Sequence, residues 1–138
     1  MERYFKMYQD FCTDFRNIGA KVEKTLTEIL NERNVDSINV KTYMDENLVD
    51  YYIFPRTDNN GYAVNTKIDT IVKNKNGEWL VNLLDESDDE WDTLELTSWN
   101  FDASQLIDIL GIIIGIFAVA DDEYNGKVFK VGESIDEE

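Results

Sequence analysis

Tyr62 to Asp85 run YAVNTKIDTIVKNKNGEWLVNLLD, and this stretch decides the fold. Tyr62, Val64, Thr66, Ile68, Thr70 and Val72 alternate with Ala63, Asn65, Lys67 and Asp69. That is the period-2 pattern of a strand with one packed and one wet face. Asn76-Gly77 separates it from a second run, Trp79 to Leu84. Asn-Gly between two such runs is the strongest short-range hairpin signal.

Working outward, further strands are expected on both sides. Trp91 to Trp99 reads as a strand beyond Leu84, with Trp99 sharing the parity of Thr93, Glu95 and Thr97. Before Tyr62, the turn cluster Thr57-Asp58-Asn59-Asn60-Gly61 follows the apolar run LVDYYIF at 48–54, which Pro55 ends. Ile38, Val40, Thr42 and Met44 alternate with Asn39, Lys41 and Tyr43, predicting one more strand over 38–44. The short links imply an antiparallel meander with one packed face.

Helices flank the strands. Over residues 3–33 the apolar positions Tyr8, Cys12, Phe15, Gly19, Val22, Leu26 and Ile29 recur at 4-3-4-3-4-3, widened by Phe11, Ile18 and Leu30. This predicts one long amphipathic helix, with Gly19 allowing a close approach and Asn34 as a left-handed stop. Cys12, on the stripe, is expected to be a buried, inert thiol. Near the C-terminus Asp102 and Gln105 have the spacing of a capping box, and Phe101 and Leu106 that of a hydrophobic staple. The body, Leu106 to Ala120, is apolar almost all round; Gly111 and Gly115 could admit a neighbouring helix or a second copy of the chain. Its 15 residues would span ~22 Å as a helix, short of the ~30 Å hydrocarbon core, and no Lys or Arg flanks it. A core helix is therefore expected. Asn125-Gly126 is read as a turn toward a short edge strand at Lys127 to Val131.

The expected architecture is α+β: a long N-terminal helix and an apolar C-terminal helix on one face of a four- to five-stranded antiparallel meander. It forms a single domain over 1–132, with a frayed acidic tail at 133–138. The helix–meander–helix order is similar to that of some small bacterial binding proteins, secretion chaperones and toxin-immunity proteins among them, a similarity of order alone. The charged, aromatic N-terminus, MERYFKMYQDF, lacks the pattern of a signal peptide, so a soluble cytoplasmic protein is expected.

Composition narrows the chemistry. The 138 residues contain no histidine and one cysteine, and 13 Lys and Arg face 29 Asp and Glu, a net charge of −16. Imidazole bases, His-ligated zinc and Ser/Cys–His nucleophiles are excluded. A disulfide framework or all-thiolate metal site is excluded as well. No Gly-rich phosphate loop or nucleophile elbow occurs, and a non-enzyme without cofactor or metal is expected. Direct binding to a phosphate backbone needs a basic surface that this chain lacks.

The acidity is local. Residues 1–77 are nearly balanced, with 11 basic and 12 acidic side chains, whereas 78–138 carry 17 acids against Lys127 and Lys130. Between Lys75 and Lys127 there is no base at all. Asp85, Glu86, Asp88, Asp89 and Glu90 crowd one loop, Asp92 and Glu95 follow, and Asp121, Asp122 and Glu123 sit where the second helix should end. Acids oppose the macrodipole at a helix C-terminus. The loop has no glycine and no alternating oxygen ligands, so it does not suit calcium.

These ten acids, with Trp99, are the candidate partner-binding residues. The expected function is a non-catalytic acidic module that docks onto a basic protein. In its sharpest form it mimics nucleic acid and inhibits a nucleic-acid-binding enzyme or nuclease, as an anti-defence or immunity protein would. The alternative is a dimeric chaperone or assembly protein whose acidity serves only solubility. Charge reversal at Asp88, Asp89 and Glu90 would separate the two.

Overall fold

The computed structural model describes residues 2–13, 16–96 and 101–121. In chain order the elements are α1 (Glu2–Thr13), α2 (Ile18–Glu32), β1 (Ser37–Asn39), α3 (Val40–Glu46), β2 (Phe54–Thr57), β3 (Ala63–Lys73), β4 (Trp79–Asp85), β5 (Glu90–Glu95) and α4 (Ala103–Asp121). The class is α+β with an antiparallel five-stranded sheet, as the sequence leads one to expect. Two compact units divide the chain: residues 35–100, and residues 1–34 with 101–138.

In the sheet unit the order is β1-β3-β4-β5, and β2 also pairs with β3. β1 lies along Thr70–Val72 and β2 along Ala63–Thr66, so the two short strands share one side of β3. Trp79, Val81 and Leu83 of β4 are buried while Leu80, Asn82 and Leu84 are half-buried, the expected alternation. In β3 the alternation flips midway. Register slips between Ile68 and Thr70, leaving Asp69 as the extra residue of a bulge. Ile68 and Ile71, three apart, are therefore both buried, whereas Thr70 and Val72 are only half-buried. A ladder crosses the opposite face: Asn82 Nδ2 donates to Thr70 Oγ1, and Thr93 Oγ1 to Asn82 Oδ1, both at 2.8 Å.

Two expected strands are corrected. Only Ser37–Asn39 is extended; Val40–Glu46 is helical, capped by Asn39, whose side chain accepts the Thr42 N–H at 2.8 Å. The alternation over 38–44 misled because Val40 and Met44 are also an i,i+4 pair. With Tyr43 they form the buried face of α3. The run 48–54 is mostly irregular, and the strand begins at Phe54 and contains Pro55. Proline is tolerated there because β2 is an edge strand, paired with β3 alone among the described strands.

In the helical unit the expected long helix is two. Asn17 sits in the left-handed region (φ 54°) between α1 and α2. The chain reverses, bringing Arg3 at the start of α1 to Glu32 at the end of α2 (3.1 Å). Tyr4 also donates to Glu32, and these two bonds, Tyr4 first, hold its carboxyl below the ordinary range. The apolar spacing concealed the break because Phe11 and Ile18, on either side of it, are seven residues apart and both buried. Gly19 permits no close approach, since a Cβ there would meet nothing within 4 Å. Cys12 is exposed rather than buried. Asn34 is left-handed as expected (φ 53°).

The capping box of α4 forms as read. Gln105 N–H donates to Asp102 Oδ1 at 2.9 Å and Asp102 N–H to Gln105 Oε1 at 3.1 Å. The staple residues Phe101 and Leu106 are buried. α4 packs with both α1 and α2, and Ile109, Leu110, Ile112, Ile113 and Ile114 are all within 1% of full burial. The helix is longer than its apolar run: Ala103–Ala120 meets the length and composition of a membrane span, with 61% of it buried.

Candidate protein-docking surface

The acidic loop is the third copy of one turn. In Asp58–Tyr62, Asn74–Glu78 and Asp85–Asp89 the first residue's N–H donates to the fifth carbonyl (2.9, 2.9 and 3.0 Å). The fourth N–H donates to the first carbonyl (3.1, 3.1 and 3.0 Å). In each, the first side chain's Oδ1 accepts the third and fifth N–H groups, at 2.9 to 3.2 Å. The fourth residue is left-handed in all three: Gly61 (φ 85°), Gly77 (φ 82°) and Asp88 (φ 66°). The repeat is visible in the letters, DNNG, NKNG and DESD, but the reading of the loop as a plain run of acids missed it.

Two acids therefore build the turn. Asp85 caps it, and bonds from Ser87 above all hold its carboxyl below the ordinary range. Asp88 stands where the sister turns use glycine, a backbone that disfavours most side chains. Its carboxylate pairs with Lys67, which lowers its pKa. Lys67 is itself 7% exposed. Its ammonium lies 4.6 Å from the Tyr51 ring centroid. Tyr51 donates its hydroxyl to Asp45, which also pairs with Lys41 at 3.3 Å. None of Lys67, Tyr51 or Asp45 was singled out from sequence. Lys67 reads as an ordinary wet-face lysine, and its burial is a tertiary fact.

The other acids of this region are directed outward. Glu86, Asp89, Glu90, Asp92 and Glu95 are exposed. Glu86 accepts from Asn65 at 2.6 Å and Asp89 from Ser87 at 2.9 Å, so both are oriented by the turn. A second bulge between Leu83 and Leu84 leaves Trp91 without a partner in the register and pairs Glu90 with Leu84, Thr93 with Asn82 and Glu95 with Leu80. Glu90 and Glu95 consequently share the face of the Thr70–Asn82–Thr93 ladder, and Asp92, opposite Leu83, lies on the other. β5 ends the order of described strands, so its acids line a sheet edge.

Asp121 is the last described residue of α4 and belongs to the helical unit. Trp99, Asp122, Glu123 and the segment Lys127–Val131 lie outside the described residues. Among the described residues no three of His, Cys, Asp and Glu converge to hold a metal. One surface depression is lined by Met7, Asp10, Phe11, Thr13 and Lys21, and another by Arg3, Tyr4, Glu32 and Arg33. Neither brings two carboxyls together. No family model, curated protein or solved structure matches this chain.

Proposed function

We propose that this chain is a non-catalytic acidic module that docks the β4–β5 turn and the β5 edge onto a basic protein, standing in for a nucleic-acid backbone. One observation carries the reading. The turn is held together by hydrogen bonds to Asp85 and by the pairing of Asp88 with the buried Lys67, which leaves Glu86, Asp89, Glu90, Asp92 and Glu95 exposed, with no base among residues 76–126. Six residues of strand span roughly 17–20 Å, a length over which a Lys/Arg-lined groove would meet several of these charges. An anti-defence inhibitor or an immunity protein against a nuclease are two biological uses of such a surface.

Charge reversal at Asp88 is a poor test, because it would strip Lys67 of its counter-ion and disturb the turn whatever the function. The clean variant neutralises Glu86, Asp89, Glu90, Asp92 and Glu95 to Gln or Asn and keeps Asp85 and Asp88. Capture from lysate at low ionic strength should recover a basic protein that high salt or added duplex DNA releases, and the neutralised variant should not recover it. Capture indifferent to salt and to the five substitutions defeats the proposal. The solubility reading rests on an observation of its own, since charges on an edge strand deter edge-to-edge pairing. Under that reading the neutralised variant keeps its function and gains only a tendency to aggregate.

A further inference from the structure

Leu48 is held in a backbone conformation that its side chain disfavours, at the position where α3 ends. Its φ is 56°, and the Val49 N–H returns to the Met44 carbonyl at 3.0 Å, the bond that closes a Schellman motif. Met44 and Val49 are buried, as that motif's apolar contact requires, but Leu48 is 89% exposed. Glycine or asparagine suits this backbone, and a bulky left-handed residue is a rare outlier. An exposed leucine alone would mean little. A strained one that buries nothing is a departure of the kind proteins retain where a side chain serves something other than folding.

The surroundings are charged. Asp45, Glu46 and Asp50 lie within three residues of Leu48, and all are exposed. The chain Asp45–Tyr51–Lys67–Asp88 joins this corner to the β4–β5 turn by direct contacts. We propose that Leu48 is the apolar anchor of the acidic docking surface, seating in an apolar patch bordered by Lys or Arg on the partner protein. The inference rests on the docking reading above and adds to it the partner's chemistry. A purely apolar patch gains nothing from the exposed carboxylates of Glu46 and Asp50 beside Leu48 in the chain, and a purely basic one leaves Leu48 in water. Interfaces of this kind concentrate their energy in a few anchors enclosed by a polar rim.

The test uses the full chain and two labelled synthetic peptides of equal length and charge. One is an amphipathic Lys–Leu helix; in the other, Ser replaces Leu. The wild-type chain should bind the Lys–Leu peptide more tightly. Leu48→Gly should weaken that binding about tenfold, leave the Lys–Ser peptide unaffected, and raise the melting temperature by relieving the backbone. Leu48→Asn, which also suits the left-handed region, should do the same. Equal wild-type affinities for the two peptides, or Leu48 variants that change neither or change both alike, overturn the anchor. A Lys–Ser peptide that fails to bind at low salt, or binds as well at high salt, overturns the docking reading on which the anchor rests.

Discussion

The pairing of Asp88 with Lys67 is open to a decisive perturbation, because two sister turns supply the calibration. Gly77→Ala places a Cβ whose nearest neighbour is Lys73 Cε at 3.8 Å, an ordinary contact, so its cost is the left-handed backbone alone. That cost is about 1–2 kcal/mol. With an unfolding entropy of ~0.29 kcal/mol/K for a chain of this length, it corresponds to a fall of ~3–7 °C in melting temperature. At residue 88 the same backbone argument runs in reverse: Asp88→Gly should relieve strain, by somewhat less because aspartate tolerates the left-handed region better than alanine. Opposing this, Lys67, with a side chain 8% exposed, loses its ion-pair partner and is left with the Tyr51 ring and the more distant charge of Asp85. A buried charge without its counter-ion is penalised by more than a single strained residue.

Asp88→Gly should therefore lower the melting temperature in the native chain, by less than loss of a fully buried pair would, because the Asp88 carboxylate is 54% exposed. In a Lys67→Met background it should raise it. Calorimetry on the four chains of that cycle measures the coupling directly. The acid limb offers a second readout. Asp88 and Asp85 both have folded pKa values below the ordinary ~3.9. Their contributions are complete above about pH 4 and fade as the pH falls through the folded values. Asp88→Asn should make the acid limb shallower. A stabilising Asp88→Gly with Lys67 present, or strictly additive effects across the cycle, would refute the reasoning.

Asp102→Ala, which removes one half of the α4 capping box, should cost about 1 kcal/mol, or ~3 °C by thermal unfolding. Cys12 should react with a soluble disulfide reagent in the folded protein because it is exposed. Its rate should keep rising with pH beyond the point where a free thiol levels off, since desolvation and the nearby Asp108 push its pKa up. Added salt should stabilise the wild-type chain by screening repulsion among Glu86, Asp89, Glu90, Asp92 and Glu95. Neutralising those five should remove most of that salt dependence, as measured by melting temperature against ionic strength.

The hairpin over residues 62–85 was legible, apart from the bulge at Asp69 and the burial of Lys67, because its determinants are local. Alternation follows from the pleat, and Asn76-Gly77 supplies a left-handed residue wherever it occurs. The same holds for Asp102 with Gln105, where both hydrogen bonds close within four residues. Residues 38–46 were not legible from spacing, because Val40 and Met44 fit periods of 2 and 3.6 equally well, and the cap on Asn39 tips the balance. The reversal between α1 and α2 escaped for a related reason: a heptad interval between Phe11 and Ile18 is the same whether the chain continues or turns back. The bulge at Asp69 is invisible to alternation, which has no way to count a residue that falls out of register.

The acidic half of the chain shows the division most clearly. Sequence by itself determined that catalysis by imidazole or paired thiols is unavailable, that the negative charge lies beyond Gly77, and that a turn links two strands at 85–90. Those are properties of composition and of short-range geometry. Which acids build the turn and which face water was decided by tertiary structure. Lys67 is 21 residues from Asp88, and the burial that gives it a need for a counter-ion comes from packing between elements.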